Sequence, residues 1–380
     1  MSGFLICFHV QANAGYAIEP LEIAFYEAIL QIVGDEKKIH LGYRNYRKGE
    51  PKWLKEKSVH LVELSYNDMN KQQLDSLSEY LRANRIEHIL AFDLSPEAKI
   101  TRAFRKGGAK NIFSYYGAPM SPINHGFKLL LKRLQIKLMP HKPDYFIFES
   151  YGMEKTATHG RGISPDSTSV VRLGIDVDRF SGHSDKATVY NAFGIPRHRK
   201  IIFYAGHMEK RKGVDVIVKA AATLVNERNR NDLHFLICGN RNNEETMFDR
   251  LYTGTQAEDY ITFGGYRSDI PELMAGCYAA VIASTGWDSF PRSSLEMAAA
   301  GLPLIVSDLA GLNETIENME TGLLFATGDH LDLADKIEFL ADNIDTRNLY
   351  STKGIDRVKK YFTIDIQRDN LIKTLRDRIR

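Results

Sequence analysis

Two acids, Asp288 and Glu296, stand eight residues apart in the stretch TGWDSFPRSSLEMAAAGLPLIVSDLAGLNETI, residues 285–316. The apolar run AAVIAS (279–284) that precedes them reads as a strand, so Asp288 is expected on a strand-to-helix loop. Pro291 suits the first helical position because it has no N–H to satisfy. Glu296 is then expected about two turns into the helix. The amides of Arg292 and Ser293 are left without intrahelical partners at a helix end that carries partial positive charge, a ready phosphate site. A carboxylate on the loop and another on the helix therefore flank a phosphate cradle. That arrangement suits a sugar on one side of a diphosphate and a ribose diol on the other. Upstream, the run AGHMEKRKGVD places Lys210, Arg211 and Lys212 ahead of Gly213, after a second apolar run, IIFYAG (201–206). Cations there can neutralise a diphosphate leaving group, and Gly206 would let the chain turn as the strand ends.

These residues must be carried by a scaffold, and the hydrophobic pattern supplies one. Short β-branched or aromatic runs alternate with longer amphipathic ones along most of the chain, the signature of parallel sheets covered by helices. In the first half, strands are expected at 4–10, 38–43, 60–64, 88–92, 111–116 and 145–150, with helices at 19–33, 67–85, 97–107 and 125–138. The second half repeats the plan at 201–206, 234–239, 260–265, 279–284 and 303–308. At 380 residues the chain exceeds what one core usually supports, so two Rossmann-like α/β domains are expected. The polar, turn-rich segment around 165–195 marks the join. The expected division is 1–168 plus a C-terminal helix at 364–380, and 169–363.

Hydrophobic residues at 43% and charged residues at 26% exclude long disorder and a membrane bundle. No apolar run approaches the ~18 residues of a spanning helix. The start, MSGFLICFHV, reads as a buried strand rather than a signal peptide. Cys7, Cys238 and Cys277 lie in apolar stretches without metal-type spacing, as small core residues of a reducing, cytoplasmic compartment. No metal motif is present, and no metal or cofactor is expected.

The paired motifs GHMEKRKGVD and DSFPRSSLE resemble the signature of the retaining GT-B glycosyltransferases of family four, the group one transferases. Asp288 and Glu296 stand at the two acids of that family's E-x7-E element. RLGIDVDRF (172–180), FGGYRSDIPELM (263–274) and SDLAGLNETIENMETGLLF (307–325) match further segments in the same order. The resemblance is dense over about 170–330 and thin elsewhere. It implies two Rossmann-like domains facing across a cleft, and transfer from a nucleotide-diphosphate sugar to a glycan or lipid-linked acceptor with retention of configuration. Polysaccharide or glycoconjugate biosynthesis is the implied setting. By the resemblance Glu296 would hold the ribose hydroxyls and Asp288 a hydroxyl of the donor sugar. Ser289, Phe290 and Arg292 would supply backbone contacts, Lys212 would neutralise the diphosphate, and Tyr266 would border the base. Gly15, in QANAGYAIEP, corresponds to the glycine loop over the diphosphate.

Three departures from the pattern stand out. The first acid is Asp rather than Glu, one methylene shorter. His207 replaces an arginine, and whether it lines the phosphates or fills space is open between the two readings. The acceptor-side histidine has no clear match; FSYYGAPMSPINHG offers Tyr115, Tyr116 or His125 instead. A sugar-nucleotide 2-epimerase of the same architecture and a non-catalytic sugar-nucleotide-binding protein are the rival functions.

From Ala98 to Lys142 there are ten Lys or Arg residues and no Asp or Glu. Two readings of GFKLLLKRLQIKLM (126–139) are weighed equally. One is a core helix with a basic outer face; the other is an amphipathic helix docking on anionic lipid, with the protein peripheral at the inner face of the membrane. Nucleic acid is not expected, since no reading element accompanies the charge.

Overall fold

The computed structural model describes residues 2–15, 18–182 and 185–379. The chain divides into two compact units, Met1–Arg172 with Ile364–Arg380, and Leu173–Thr363. The first carries β1 (Gly3–Phe8), β2 (Ile39–Tyr43), β3 (His60–Glu63), β4 (Ile86–Phe92), β5 (Asn111–Tyr116), β6 (Tyr145–Phe148) and β7 (Thr168–Val170). The second carries β8 (Lys200–Ala205), β9 (Leu233–Cys238), β10 (Ile261–Gly265), β11 (Ala279–Ile282), β12 (Leu304–Ser307) and β13 (Gly322–Phe325). The helices of the first unit are α1 (Glu19–Val33), α2 (Lys71–Ala83), α3 (Ile100–Lys106), α4 (Gly126–Leu138) and α5 (Tyr151–Lys155). Those of the second are α6 (Ala187–Phe193), α7 (Val214–Ala222), α8 (Ile270–Met274), α9 (Arg292–Ala299), α10 (His330–Asp342) and α11 (Ile344–Tyr361). The last helix, α12 (Ile364–Arg376), returns to the first unit.

Both sheets are parallel, ordered β3-β2-β1-β4-β5-β6-β7 and β10-β9-β8-β11-β12-β13. Strands such as FLICF, IIFY and LHFLIC are buried on both faces, which is why they read as unbroken apolar runs without alternation. In each sheet the order reverses beside the first strand, between β1 and β4 and between β8 and β11. Ligands of open α/β sheets bind at the carboxyl ends of the strands at such a reversal. The lysines singled out above lie on the loop after β8 and Asp288 on the loop after β11, with Glu296 in the helix that follows, so the second unit presents both groups at its own switch point.

The three-residue β7 escapes a reading by hydrophobic pattern because it is too short to show one. α12 packs along α1, where Arg368 pairs with Glu27 at 3.3 Å and the Arg376 guanidinium donates to the Gln31 carbonyl at 3.0 Å. The three cysteines are buried and unpaired. Burial pushes the Cys238 thiol up to about 12, away from thiolate chemistry.

α4 bears on the core-helix reading of the basic segment. Its apolar residues Phe127, Leu130, Leu131, Leu134 and Leu138 all face solvent, Phe127 and Leu138 more than 70% exposed at 73% and 72%. At about 100° per residue these five share one stripe. Only Ile136 is buried, on the opposite side. The core-helix reading is therefore corrected: five large apolar side chains point outward, and buried Ile136 with half-buried Leu129 beside it faces the unit.

Candidate functional site

One close approach assembles the second unit's site. Gly213 has φ +66, and a Cβ there would collide with the carbonyl oxygen of Ala283 at the end of β11. Only a residue without a side chain lets the loop after β8 lie directly on the loop after β11. The Arg211 carbonyl then accepts from the Thr285 amide at 2.7 Å and from the Gly286 amide at 3.3 Å. The Arg211 guanidinium lies 4.3 Å from the Trp287 ring centroid and donates to the Trp287 carbonyl at 3.1 Å. Lys212, the next residue, reaches Asp288: Nζ stands 2.8 Å from Oδ2. Both side chains are largely shielded, at 15% and 7% exposure, so the pair is little screened by solvent. The Ser284 hydroxyl donates to the same Oδ2 at 2.7 Å and fixes the carboxylate from below.

Two local expectations change. Pro291 is the N-cap of α9 rather than its first residue, with an extended ψ of 126°, so the helix begins at Arg292. Glu296 is therefore just over one turn into the helix, not about two, because residues 289–291 run extended before it starts. Glu296 and Ser289 are buried, and the Phe290 ring packs against Phe362 at 5.3 Å between centroids. That ring belongs to the core and leaves only backbone for the site. The buried Nε of Arg292 has no hydrogen-bond partner among the described residues, an unsatisfied cationic donor at the head of α9.

Gly206 is favoured by proximity rather than by a turn: a Cβ there would stand 2.6 Å from the Tyr204 hydroxyl and displace it. That hydroxyl donates to the His207 carbonyl at 2.9 Å, and burial together with the Asp288 charge pushes the phenol's pKa up, keeping it a neutral donor. His207 itself is exposed. Tyr266, also exposed, follows β10 and carries the Arg241 guanidinium 3.7 Å from its ring centroid. Beneath them Asn240 accepts from the Gly265 amide at 2.8 Å, and the Gly206 amide donates to Cys238 at 3.1 Å. Arg241 went unanticipated. Its signal was available only as a basic residue directly after the Gly239–Asn240 turn that ends a strand.

In the first unit Gly15 follows β1 with φ +119, and its carbonyl accepts from the Ile18 amide at 3.1 Å to start α1. Tyr16 and Ala17 of that loop lie outside the described residues. Tyr116, the last residue of β5, is buried against Phe148 at 5.8 Å between centroids. His125 is exposed at the head of α4 and makes no side-chain cap there.

An acid that no motif marks stands beside the first unit's own switch point. Asp93 ends β4 in the left-handed region, φ +53, and accepts from the Gly117 amide at 2.9 Å. Burial pushes its carboxyl up to about 6, with the Gly117 bond and His9 opposing. Nothing in AFDLSP distinguishes this acid from a turn aspartate; the shift comes from what the fold packs around it. Among the described residues no three His, Cys, Asp or Glu side chains gather as a metal site, and no helix is long and apolar enough to cross a membrane.

Both features can be measured. Gly213→Ala should lower unfolding stability by at least the ~1–3 kcal/mol of a forced left-handed residue, read by urea denaturation. A neutral substitution would mean that the two loops do not touch. For Asp93, a folded pKa raised above the unfolded ~3.9 means stability falls as pH rises between about 4 and 6. Asp93→Asn keeps the acceptor for Gly117 and removes the charge. It should stabilise the protein by on the order of 2 kcal/mol at pH above 7 and by little near pH 4. An equal effect at both pH values would refute the raised pKa.

Comparison with known proteins places this geometry. Residues 185–357 match the family described as Glycosyl transferases group 1. A D-inositol 3-phosphate glycosyltransferase of Corynebacterium aurimucosum is 28% identical over 52% of this chain and 48% of its own length. A lipopolysaccharide core biosynthesis mannosyltransferase of Rhizobium meliloti is 26% identical over 52% of this chain and 57% of its own. The chain thus spans about half the length of the curated relatives it matches. Among solved structures, a glycosyltransferase from Rickettsia africae superposes with a TM-score of 0.82 at 18% identity, covering 99% of this chain and 98% of that one. The Anabaena protein HepE, solved in complex with UDP, gives 0.78 at 16% identity, covering 99% and 100%. These likenesses establish a GT-B fold of two parallel α/β units. Through residues 185–357 the chain is similar to the glycosyl transferases group 1.

Proposed function

We propose that the protein transfers a sugar from a nucleotide-diphosphate sugar to a glycan or lipid-linked acceptor, with retention of configuration, in cell-surface glycan synthesis. The observation that carries this reading is the shielded Lys212–Asp288 pair at the head of α9. That pair stands just ahead of a helix whose first residue carries the unsatisfied Arg292 donor and whose second turn carries Glu296, so a carboxylate is available for each end of a sugar nucleotide. Lys212 and the first amides of α9 hold the diphosphate and stabilise the charge that develops as it leaves. Asp288, released from Lys212 when the phosphates arrive, orients a sugar hydroxyl. Glu296 binds the ribose diol, and Arg241 on Tyr266 borders the base. The acceptor hydroxyl enters on the face the diphosphate leaves, so the protein supplies position and charge rather than a strong nucleophile. Gly15, Tyr116 and Asp93 stand at the carboxyl edge of the first unit's own sheet. HepE was solved with UDP and the mannosyltransferase relative is one of lipopolysaccharide core biosynthesis, which supports a nucleotide donor and a cell-surface acceptor. The outward apolar stripe of α4 supports an acceptor met at a membrane face.

A melting-shift screen against UDP, GDP and ADP and their sugars identifies the donor. With that donor, Lys212→Ala and Glu296→Ala should each lower transfer about tenfold to a thousandfold while the protein stays folded. Near-normal turnover in either variant would remove the assignment. Donor converted with no acceptor present would favour the 2-epimerase.

Transfer should also survive EDTA, because Lys212 and the α9 amides take the part a divalent ion plays elsewhere. Activity lost to chelator and restored by Mg²⁺ or Mn²⁺ would overturn that reading.

A further inference from the structure

The first unit holds a second basic feature that donor chemistry does not use. A cavity of about 1120 Å³ opens beside β5 and β6 at their amino ends, where Asn111 and Tyr145 begin the strands. The strands are parallel, so this is the edge opposite Gly15, Asp93 and Tyr116. Its walls are the C-terminal half of α4, the loop after it, residues 162–167 and the chain end at Asp377–Arg378.

The cations in these walls fall into two groups. Arg105 is bound to Asp144 at 2.6 Å and Lys110 to Glu87 at 2.9 Å. Arg133, Lys137 and Lys142 form no ion pair among the described residues, and Arg378 lies over the Tyr145 ring at 4.4 Å. Against these four stand only Asp166 and Asp377, since Asp144 is already paired. The cavity keeps an excess of positive charge.

Its wall is also rigidly placed. Gly162 has φ +87, and a Cβ there would stand 2.6 Å from the Arg133 amide nitrogen, so the 162–167 segment lies directly on the α4 backbone. Arg161 adds a bond to Gln135 at 3.2 Å. This packing holds the inward side of α4 and turns the stripe of Phe127, Leu130, Leu131, Leu134 and Leu138 to solvent. Arg133 and Lys137 lie on the cavity side of the helix; Lys128 and Lys132 lie on its other side.

We propose that this face lies on an anionic phospholipid bilayer, with the α4 stripe among the acyl chains and a lipid phosphate headgroup seated in the cavity between Arg133, Lys137, Lys142 and Arg378. An apolar stripe bordered by cations is the pattern of a helix lying in the membrane interface. A bilayer is the occupant that supplies hydrocarbon and negative charge together. The assignment rests on the membrane-side reading of the acceptor and deepens it by naming the headgroup site.

The test is sedimentation of the full chain with vesicles of phosphatidylcholine alone or mixed equally with phosphatidylglycerol. Wild type should bind only the mixed vesicles, and binding should fade from about 0.1 M to about 1 M salt as the screening length falls from ~10 Å to ~3 Å. Arg133→Ser/Lys137→Ser/Lys142→Ser should weaken binding on the order of 100-fold, about fivefold per charge. Leu130→Ser/Leu134→Ser/Leu138→Ser should abolish it. Lys128→Ser/Lys132→Ser removes charge outside the cavity and should cost less per residue than the triple. Equal loss per charge would reduce the cavity to part of a diffuse basic surface and overturn the headgroup site. No binding by wild type would overturn the membrane reading as well. A melting shift with inorganic phosphate but no vesicle binding would make the cavity a soluble-anion site. A dimer dissolved by the leucine substitutions would make a second copy the occupant; both results refute the proposal. The melting shift with nucleotide diphosphate should persist in every variant, so failure here leaves the transfer reading standing.

Discussion

Everything chemical in the second unit depends on one steric allowance, the missing side chain at Gly213. Because the residue before α7 presses on the Ala283 carbonyl, the loops that follow β8 and β11 share backbone hydrogen bonds through Arg211. A lysine and an aspartate that are 76 residues apart are thereby held at 2.8 Å. Gly239 completes the arrangement, since a Cβ there would run into the Gly206 carbonyl. Three strand-end loops are thus packed backbone to backbone. Their charged side chains are brought together by a frame that does not itself need the charges.

The Lys212–Asp288 pair is better understood as a resting state than as a source of stability. Shielded ion pairs pay a desolvation cost that their attraction only partly offsets. Asp288 is held by the Ser284 hydroxyl as well, so its position does not depend on Lys212 alone. Arg211, adjacent in sequence, plays a different part. It is committed to Trp287 and to Glu209 at 2.7 Å, and latches the loops. Three consecutive basic residues therefore divide into a latch (Arg211), the ion-pair partner of Asp288 (Lys212) and an exposed Lys210. The charge run alone could not assign those parts.

The first unit uses the same strand order for different ends. Its carboxyl edge carries Gly15, Asp93 and Tyr116, and its amino edge carries a basic cavity beside an outward apolar helix. In α4 the usual amphipathic logic is inverted, because Ile136 and the close approach at Gly162 hold the helix while five large apolar side chains remain in solvent.

The sequence by itself determined the two parallel sheets, since strands buried on both faces must be continuous apolar runs, and it marked the loops that follow them. It also marked Asp288, Glu296 and Lys212 as members of one chemical set, because their order and spacing match a family pattern. What it could not determine depends on contacts between distant segments. Pro291 as a cap rather than a first helical residue is set by the extended run at 289–291. The rise in the Asp93 carboxyl comes from the burial that the fold imposes, against the opposing Gly117 amide and His9. The cation on Tyr266 is Arg241, which reaches it only because β9 and β10 are neighbours. The direction in which α4 turns its leucines was equally open, because hydrophobic periodicity defines a stripe but not what the stripe faces; the tertiary contact at Gly162 decided it.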